Sequence, residues 1–438
     1  MGRWSLQLQL LTCVLSARAA CPTPSVLGHS RSGSLEDGEG STTVITTTGI
    51  ATSAQTTLPS VGMEAALSAE PLEAHEQGES WLYDPDRQED MDACFTAFDK
   101  DGDGYLDLKE FGSVCRALFR NDKGKIYTLE PKQLYTVFNI FDRNKDGYID
   151  REEFTRCWNQ WIKTIVRPVS VFLVVDVQND FISGTLNISQ CAAQQNGLDV
   201  VDPINRLLDT VEFDAVFYSL DWHPSDHVSF IDNLPYRKLH DSSPVKAEDA
   251  KTYDTVVFEG PPQMKQRLWP RHCVQDSWGA ELHKDLKVVE GAIKICKGTN
   301  PEVDSYSVFW DNKKLTRTTL GDELRAKNAT DIYVCGLAYD VCVGASALDA
   351  LTIGYRTVLI DDCSRGVDLN DIEKTKQTVM TNSGVIVNSN QVKAMVEGRD
   401  RRAELGYKLA IEIRKREEDM EGANEPPLAG QQVESCNA

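Results

Sequence analysis

Residues 169–181 read VSVFLVVDVQNDF, an apolar run that breaks on a single carboxylate, Asp176. A run of Val, Leu and Phe without polar alternation describes a strand buried on both faces, as in a parallel sheet covered by helices. The pattern recurs as DAVFYSLDW (214–222), AIKICKG (292–298), DIYVCGLA (331–338), TVLIDDCS (357–364) and GVIVNS (384–389). Helical patterns such as ALDALTIG (347–354) lie between these runs. The expected fold from residue 166 to about residue 398 is therefore α/β, a mostly parallel doubly wound sheet.

In such a sheet the carboxyl ends of the strands line one crevice, which is where ligands bind. Four strand ends here carry reactive groups: Asp176, Asp221 with His223, Lys297, and Cys342. A thiol attacks as thiolate, a form favoured by positive charge or by a helix N-terminus. Cys342 opens the Ala-rich stretch VGASALDAL, Lys297 offers an ammonium, and Asp176 offers a base for the thiol proton. By itself Cys342 reads as a core cysteine; the company of Asp176 and Lys297 reverses that reading. Asp221, His223 and His272 form a three-ligand set for one catalytic divalent metal with open positions, and zinc, iron or manganese suits it. His227 is a fourth ligand, a turn cap or a solvated side chain. Asp180 and Asp226 read as turn or capping residues, and His29, His75, His240 and His283 as surface residues.

Upstream lies a repeat. FDKDGDGYLDLKEF (98–111) returns as FDRNKDGYIDREEF (141–154), each an acidic loop between helical patterns. A hard cation needs several oxygen ligands, and the twelve-residue EF-hand spacing wraps them around one point. The first loop offers Asp99, Asp101, Asp103, the Tyr105 carbonyl, Asp107 and Glu110. The second offers Asp142, Asn144, Asp146, the Tyr148 carbonyl, Asp150 and Glu153. Gly104 and Gly147 sit where the loop turns sharply, and Leu106 and Ile149 are placed to join the loops by a β-bridge. A small all-α EF-hand domain binding calcium in both loops is expected over residues 85–165.

The chain has 438 residues, room for two or three domains, with 46 Lys and Arg against 67 Asp and Glu. The net charge of −21 argues against a nucleic-acid partner and suits calcium binding. Cysteines in apolar settings, Cys94, Cys157, Cys296 and Cys335, read as buried free thiols, which favours a reducing, cytoplasmic location. Secretion is the alternative: residues 1–20 have the outline of a signal peptide, interrupted by Gln7 and Gln9. In that case Asn187 and Asn328, each in an Asn-x-Ser/Thr triplet, become glycosylation candidates. Residues 21–84, with STTVITTTGIATSAQTTLPS (41–60) at their centre, read as a disordered Ser/Thr-rich arm. Residues 399–438 read as one helix followed by a disordered tail. No segment approaches the ~20 apolar residues of a membrane span. Oligomeric state is open.

Residues 167–393 resemble a nicotinamidase of the isochorismatase-like (cysteine hydrolase) superfamily. The stretches that carry the likeness are VVDVQNDF, DWHPSDHVSF, LWPRHCV, KGTNPEVDSYSVF and VCGLAYDVCVGASALDA. The resemblance implies a catalytic triad of Asp176, Lys297 and Cys342, and metal ligands Asp221, His223 and His272. It implies a cis peptide at Leu337–Ala338, with the Ala338 and Cys342 amides holding an oxyanion, and Phe181, Trp269 and Tyr306 around a pyridine ring. The implied activity is hydrolysis of nicotinamide to nicotinate and ammonia in NAD salvage, modulated by calcium or merely accompanied by it. The alternatives are another amide or carbamoyl hydrolase of the superfamily, and a calcium-binding scaffold.

Overall fold

The computed structural model describes residues 88–423. The signal-like segment, the Ser/Thr-rich arm and the final residues of the tail lie outside the described residues.

Helices α1 (Gln88–Phe98), α2 (Leu108–Leu118), α3 (Pro131–Phe141) and α4 (Arg151–Cys157) flank the two acidic loops. Asp107 and Asp150 each cap the following helix and close a capping box with Glu110 and Glu153. The loops pair through Leu106 and Ile149, whose backbones exchange two 2.9 Å hydrogen bonds, as the spacing suggests. After α4 the chain continues through a wide turn at Trp158–Ile162 and a last turn at Lys163–Val166, then enters the sheet almost at once.

All six expected runs are strands: β1 (Ser170–Val175), β2 (Ala215–Asp221), β5 (Ile293–Lys297), β6 (Asp331–Leu337), β7 (Arg356–Arg365) and β8 (Val385–Val387). They form one sheet in the order β5-β2-β1-β6-β7-β8, every pairing parallel. The period of two along β1 divides the core. Phe172 and Val174 face one side with α5 (Val201–Thr210) and α9 (Ser389–Val396). Val171, Leu173 and Val175 face the other with α6 (Leu320–Ala326), α7 (Gly344–Ile353) and α8 (Leu369–Thr381).

Two features depart from the sequence reading. A short antiparallel hairpin, β3 (Thr255–Phe258) with β4 (Met264–Arg267), carries its own small apolar cluster. Its segments TVVF and MKQR are too short for periodicity to reveal. Cys296, expected to be buried, is exposed. It lies on β5, the sheet edge, where Ile295 and Lys297 face inward while Lys294 and Cys296 face solvent. The last helix, α10 (Ala403–Ala423), follows, and no helix of the described residues is long and apolar enough to cross a membrane.

Candidate active site

The parallel registers bring the strand ends together. Asp176 follows β1 and, with φ +49°, takes a backbone conformation uncommon for a side-chain-bearing residue. Its carboxylate accepts the Ser219 hydroxyl at 2.6 Å from the neighbouring β2. Across β2 and β5, Asp221 and Lys297 are register partners. The buried Lys297 Nζ lies 2.5 Å from Asp221 Oδ1, 2.9 Å from Asp176 Oδ2, 2.9 Å from the Ser305 carbonyl and 3.3 Å from Cys342 Sγ. Asp176 Oδ2 meets Lys297 as an ion pair and is otherwise without a hydrogen-bond partner. One ligating atom each of Asp176, Asp221 and Cys342 falls within 4.8 Å of the others.

Charge and burial set the protonation states. Burial raises the Asp176 carboxyl above the usual carboxylate range, against the pull of Lys297. Burial likewise pushes the Cys342 thiol well up, and Lys297 only partly offsets it. The helix-dipole argument from sequence favoured a standing thiolate, and burial acts against it. Lys297 itself is held charged: desolvation opposes it, but Asp176 and Asp221 raise it well above its ordinary value.

Asp221 points its second oxygen the other way. Oδ2 lies 3.5 Å from His223 Nε2 and 3.8 Å from His272 Nε2. Each imidazole directs Nδ1 at a carbonyl, Gly298 for His223 (2.9 Å) and Pro270 for His272 (2.7 Å). A carbonyl only accepts, so both Nδ1 atoms carry a proton and each ring turns its Nε2 toward Asp221. Donors about 2.1 Å from a tetrahedral ion stand roughly 3.4 Å apart, so this trio fits a divalent metal. His227 is buried against His223, ring centroids 4.0 Å apart, and its Nδ1 meets Ser229 Oγ at 2.7 Å. It groups with His223 and Asp304 rather than with the Asp221–His223–His272 set. Asp180, read as a turn or capping residue, is buried and accepts the Thr185 amide at 3.0 Å nearby and the Cys273 amide at 2.7 Å on a segment distant in the chain. Asp226 is exposed, whereas His240 and His283, expected at the surface, are half-buried.

Cys342 and Asp221 open onto a cavity lined by Phe181, Trp269 and Tyr306, with Ala338 on its wall. The Leu337–Ala338 peptide is cis, as the resemblance implies. Leu186, Ile188, Val341, Val367 and Asp304 also line this cavity and were missed. Leu186, Ile188 and Val367 sit on stretches whose sequence carries no periodic signal, whereas Val341 and Asp304 lie inside the stretches that carry the resemblance without standing out there. Ser219 was missed too, because a serine within an apolar strand reads as packing.

In the calcium loops, Asp99, Asp101 and Glu110 bring one oxygen each within 4.8 Å of one another. In the second loop Asp142 Oδ1 is buried without a hydrogen-bond partner, as a cation ligand would be. Asp103 and Asp146 each accept the amide two residues on, from Tyr105 and Tyr148, at 2.9 Å. Asn144 donates to Asp146 at 2.9 Å. Gly104 and Gly147 have φ +89° and +88°, the left-handed turn the spacing calls for.

A family model described as an isochorismatase domain matches residues 170–391, and one described as an EF-hand domain pair matches residues 88–157. The nicotinamidase of Escherichia coli K12 is 40% identical over 204 residues, 46% of this chain and 85% of that protein. The nicotinamidase of Saccharomyces cerevisiae is 30% identical over 223 residues, 48% of this chain and 94% of that protein. Among solved structures, an Acinetobacter baumanii nicotinamidase pyrazinamidease aligns at 33% identity and a TM-score of 0.43, covering 51% of this chain and 98% of that one.

Proposed function

The chain belongs to the isochorismatase family, and on that premise we propose that it is a nicotinamidase, hydrolysing nicotinamide to nicotinate and ammonia. The observation that carries this reading is Cys342 Sγ, 3.3 Å from Lys297 and beside the Asp176 carboxylate, opening into an aromatic cavity at Asp221 and His272. A planar pyridine ring fits between Phe181, Trp269 and Tyr306.

Asp176 takes the Cys342 proton as sulfur attacks the amide carbon, and the main-chain amides of Ala338 and Cys342 hold the oxyanion. When the C–N bond breaks, Asp176 returns the proton to the departing ammonia. Asp176 then takes a proton from water, which attacks the thioester. Nicotinate leaves and Cys342 recovers its proton. Lys297 keeps the two carboxylates and the sulfur in place throughout. A divalent ion held by Asp221, His223 and His272, for which zinc, iron and manganese each suit the donors, would supply a Lewis-acid anchor that orients the ring. Calcium is held by Asp99, Asp101, Asp103, Tyr105 and Glu110 in one loop and by Asp142, Asn144, Asp146, Tyr148 and Glu153 in the other. The product is a precursor for NAD salvage.

The test is ammonia release from nicotinamide by the purified chain beside Cys342→Ala. Release by the native chain alone is expected. Near-normal release by Cys342→Ala would remove the nucleophile, and no release from the native chain supplied with each metal would remove the activity.

A further inference from the structure

Helix α10 places Ala403, Gly406, Ala410 and Ile413 three and four residues apart, on one face. That face belongs to the EF-hand pair. Ala403, Leu409, Ala410 and Ile413 are buried in the same apolar cluster as Phe119, Phe141 and Trp161. Glycine is a poor residue for a helix interior, and the contact explains Gly406. A Cβ there would stand 2.2 Å from the Phe119 ring, and the Gly406 carbonyl accepts the Trp161 indole N–H at 2.7 Å. Polar contacts hold the ends. Arg401 Nε donates to the Leu118 carbonyl at 2.6 Å and its amide to Arg120 at 3.1 Å, while Arg156 pairs with Glu417.

The helices that grip α10 flank the two acidic loops: α3, which packs along it, ends at Phe141 just before the loop residue Asp142. Leu118 ends α2, which opens with the ligand Glu110, and Arg156 lies on α4 three residues beyond the ligand Glu153. The other side of α10 meets the hydrolase: Leu405 is buried with Val392 and Met395, and the Glu412 side chain lies against Gly354.

An amphipathic helix in an apolar groove is how calcium-loaded EF-hands capture their targets. We propose that α10 is the target helix of this EF-hand pair, held in cis, and that calcium in the two loops clasps it. The pair thereby fastens the C-terminal segment to the hydrolase and leaves its groove closed to other proteins. This rests on the calcium reading of the loops given above. The clasp stands at the amino ends of the strands, where Arg356, the first residue of β7, donates to the Thr164 carbonyl at 2.9 Å. Asp176 and Cys342 stand at the carboxyl ends, so calcium governs the hold on α10 and not the affinity for the amide.

The experiment is hydrogen exchange on the full chain, in calcium and in chelator, with calcium stoichiometry measured on the same samples. Two bound ions are expected, and chelation should speed exchange in residues 403–417 on the order of tenfold or more while β1 and β6 keep their protection. Arg156→Ala, a peripheral change, should lower calcium affinity several-fold by linkage with the core intact. Ala410→Glu, checked for folding by β1 and β6 protection, should release α10 even in calcium. Two bound ions with α10 exchange indifferent to chelation would overturn the clasp, as would loosening of α10 and the sheet together. Absence of calcium binding would instead remove the reading of the loops.

Discussion

Lys297 serves two groups at once, since its ammonium touches both the proposed base Asp176 and the proposed metal ligand Asp221. Removing it leaves two buried carboxylates facing each other. Lys297→Met should therefore abolish ammonia release and lower stability by about 3–5 kcal/mol, measured by thermal denaturation. Asp221→Ala should lose the divalent metal on dialysis, whereas Cys342→Ala should retain it while losing turnover; metal analysis of the two proteins separates the roles. The pH profile tests Asp176. Its carboxyl is raised by burial, and as a base it must be ionised. Activity is then full above the raised pKa and is lost as pH falls through it, so the acid limb of kcat/KM sits above the ordinary value of about 3.9. The Ser219 hydroxyl favours the ionised form, so Ser219→Ala should move that limb further up. An unmoved limb would mean another group sets it.

At the scale of elements, the metal set depends on a loop as much as on strands. Asp221 is a strand residue and His223 lies just beyond it, but His272 stands on a segment with no regular structure. Asp180 fixes that segment by accepting the amide of Cys273, the residue after the ligand, and by packing against Gly279. Asp180→Ala should let the segment drift and weaken metal affinity by roughly tenfold or more, measured by competition with a chelator. Unchanged affinity would show that the Pro270 carbonyl and the neighbouring core hold His272 without it.

Across the whole molecule, the two proposed functions stand at opposite ends of the strands. The proposed catalytic groups gather at the carboxyl ends of β1, β2, β5 and β6, while the chain leaves the EF-hand pair at the amino ends. Six residues of strand separate the ends by about 20 Å. Chelating calcium should therefore lower the melting temperature by on the order of 5 °C and leave KM for nicotinamide unchanged. A calcium-dependent KM would show that the sheet transmits the signal.

The sequence by itself determined the strands and the reactive residues. Apolar runs must be buried, so the six strands were legible, and the acidic loops announced themselves because twelve-residue spacing is local geometry. Asp176, Lys297, Cys342, Asp221, His223 and His272 were legible as residues that end such runs or follow a matching motif. Tertiary structure decided what depends on neighbours distant in the chain. Cys296 is exposed because β5 proved to be the sheet edge, and burial raises the Cys342 thiol against the pull of Lys297. Leu186, Ile188 and Val367 reached the cavity through loop paths that no periodicity records. The helix after residue 399 was foreseen, but its attachment was not. An amphipathic pattern says that one face must be covered, and only the packed molecule shows that the EF-hand pair covers it.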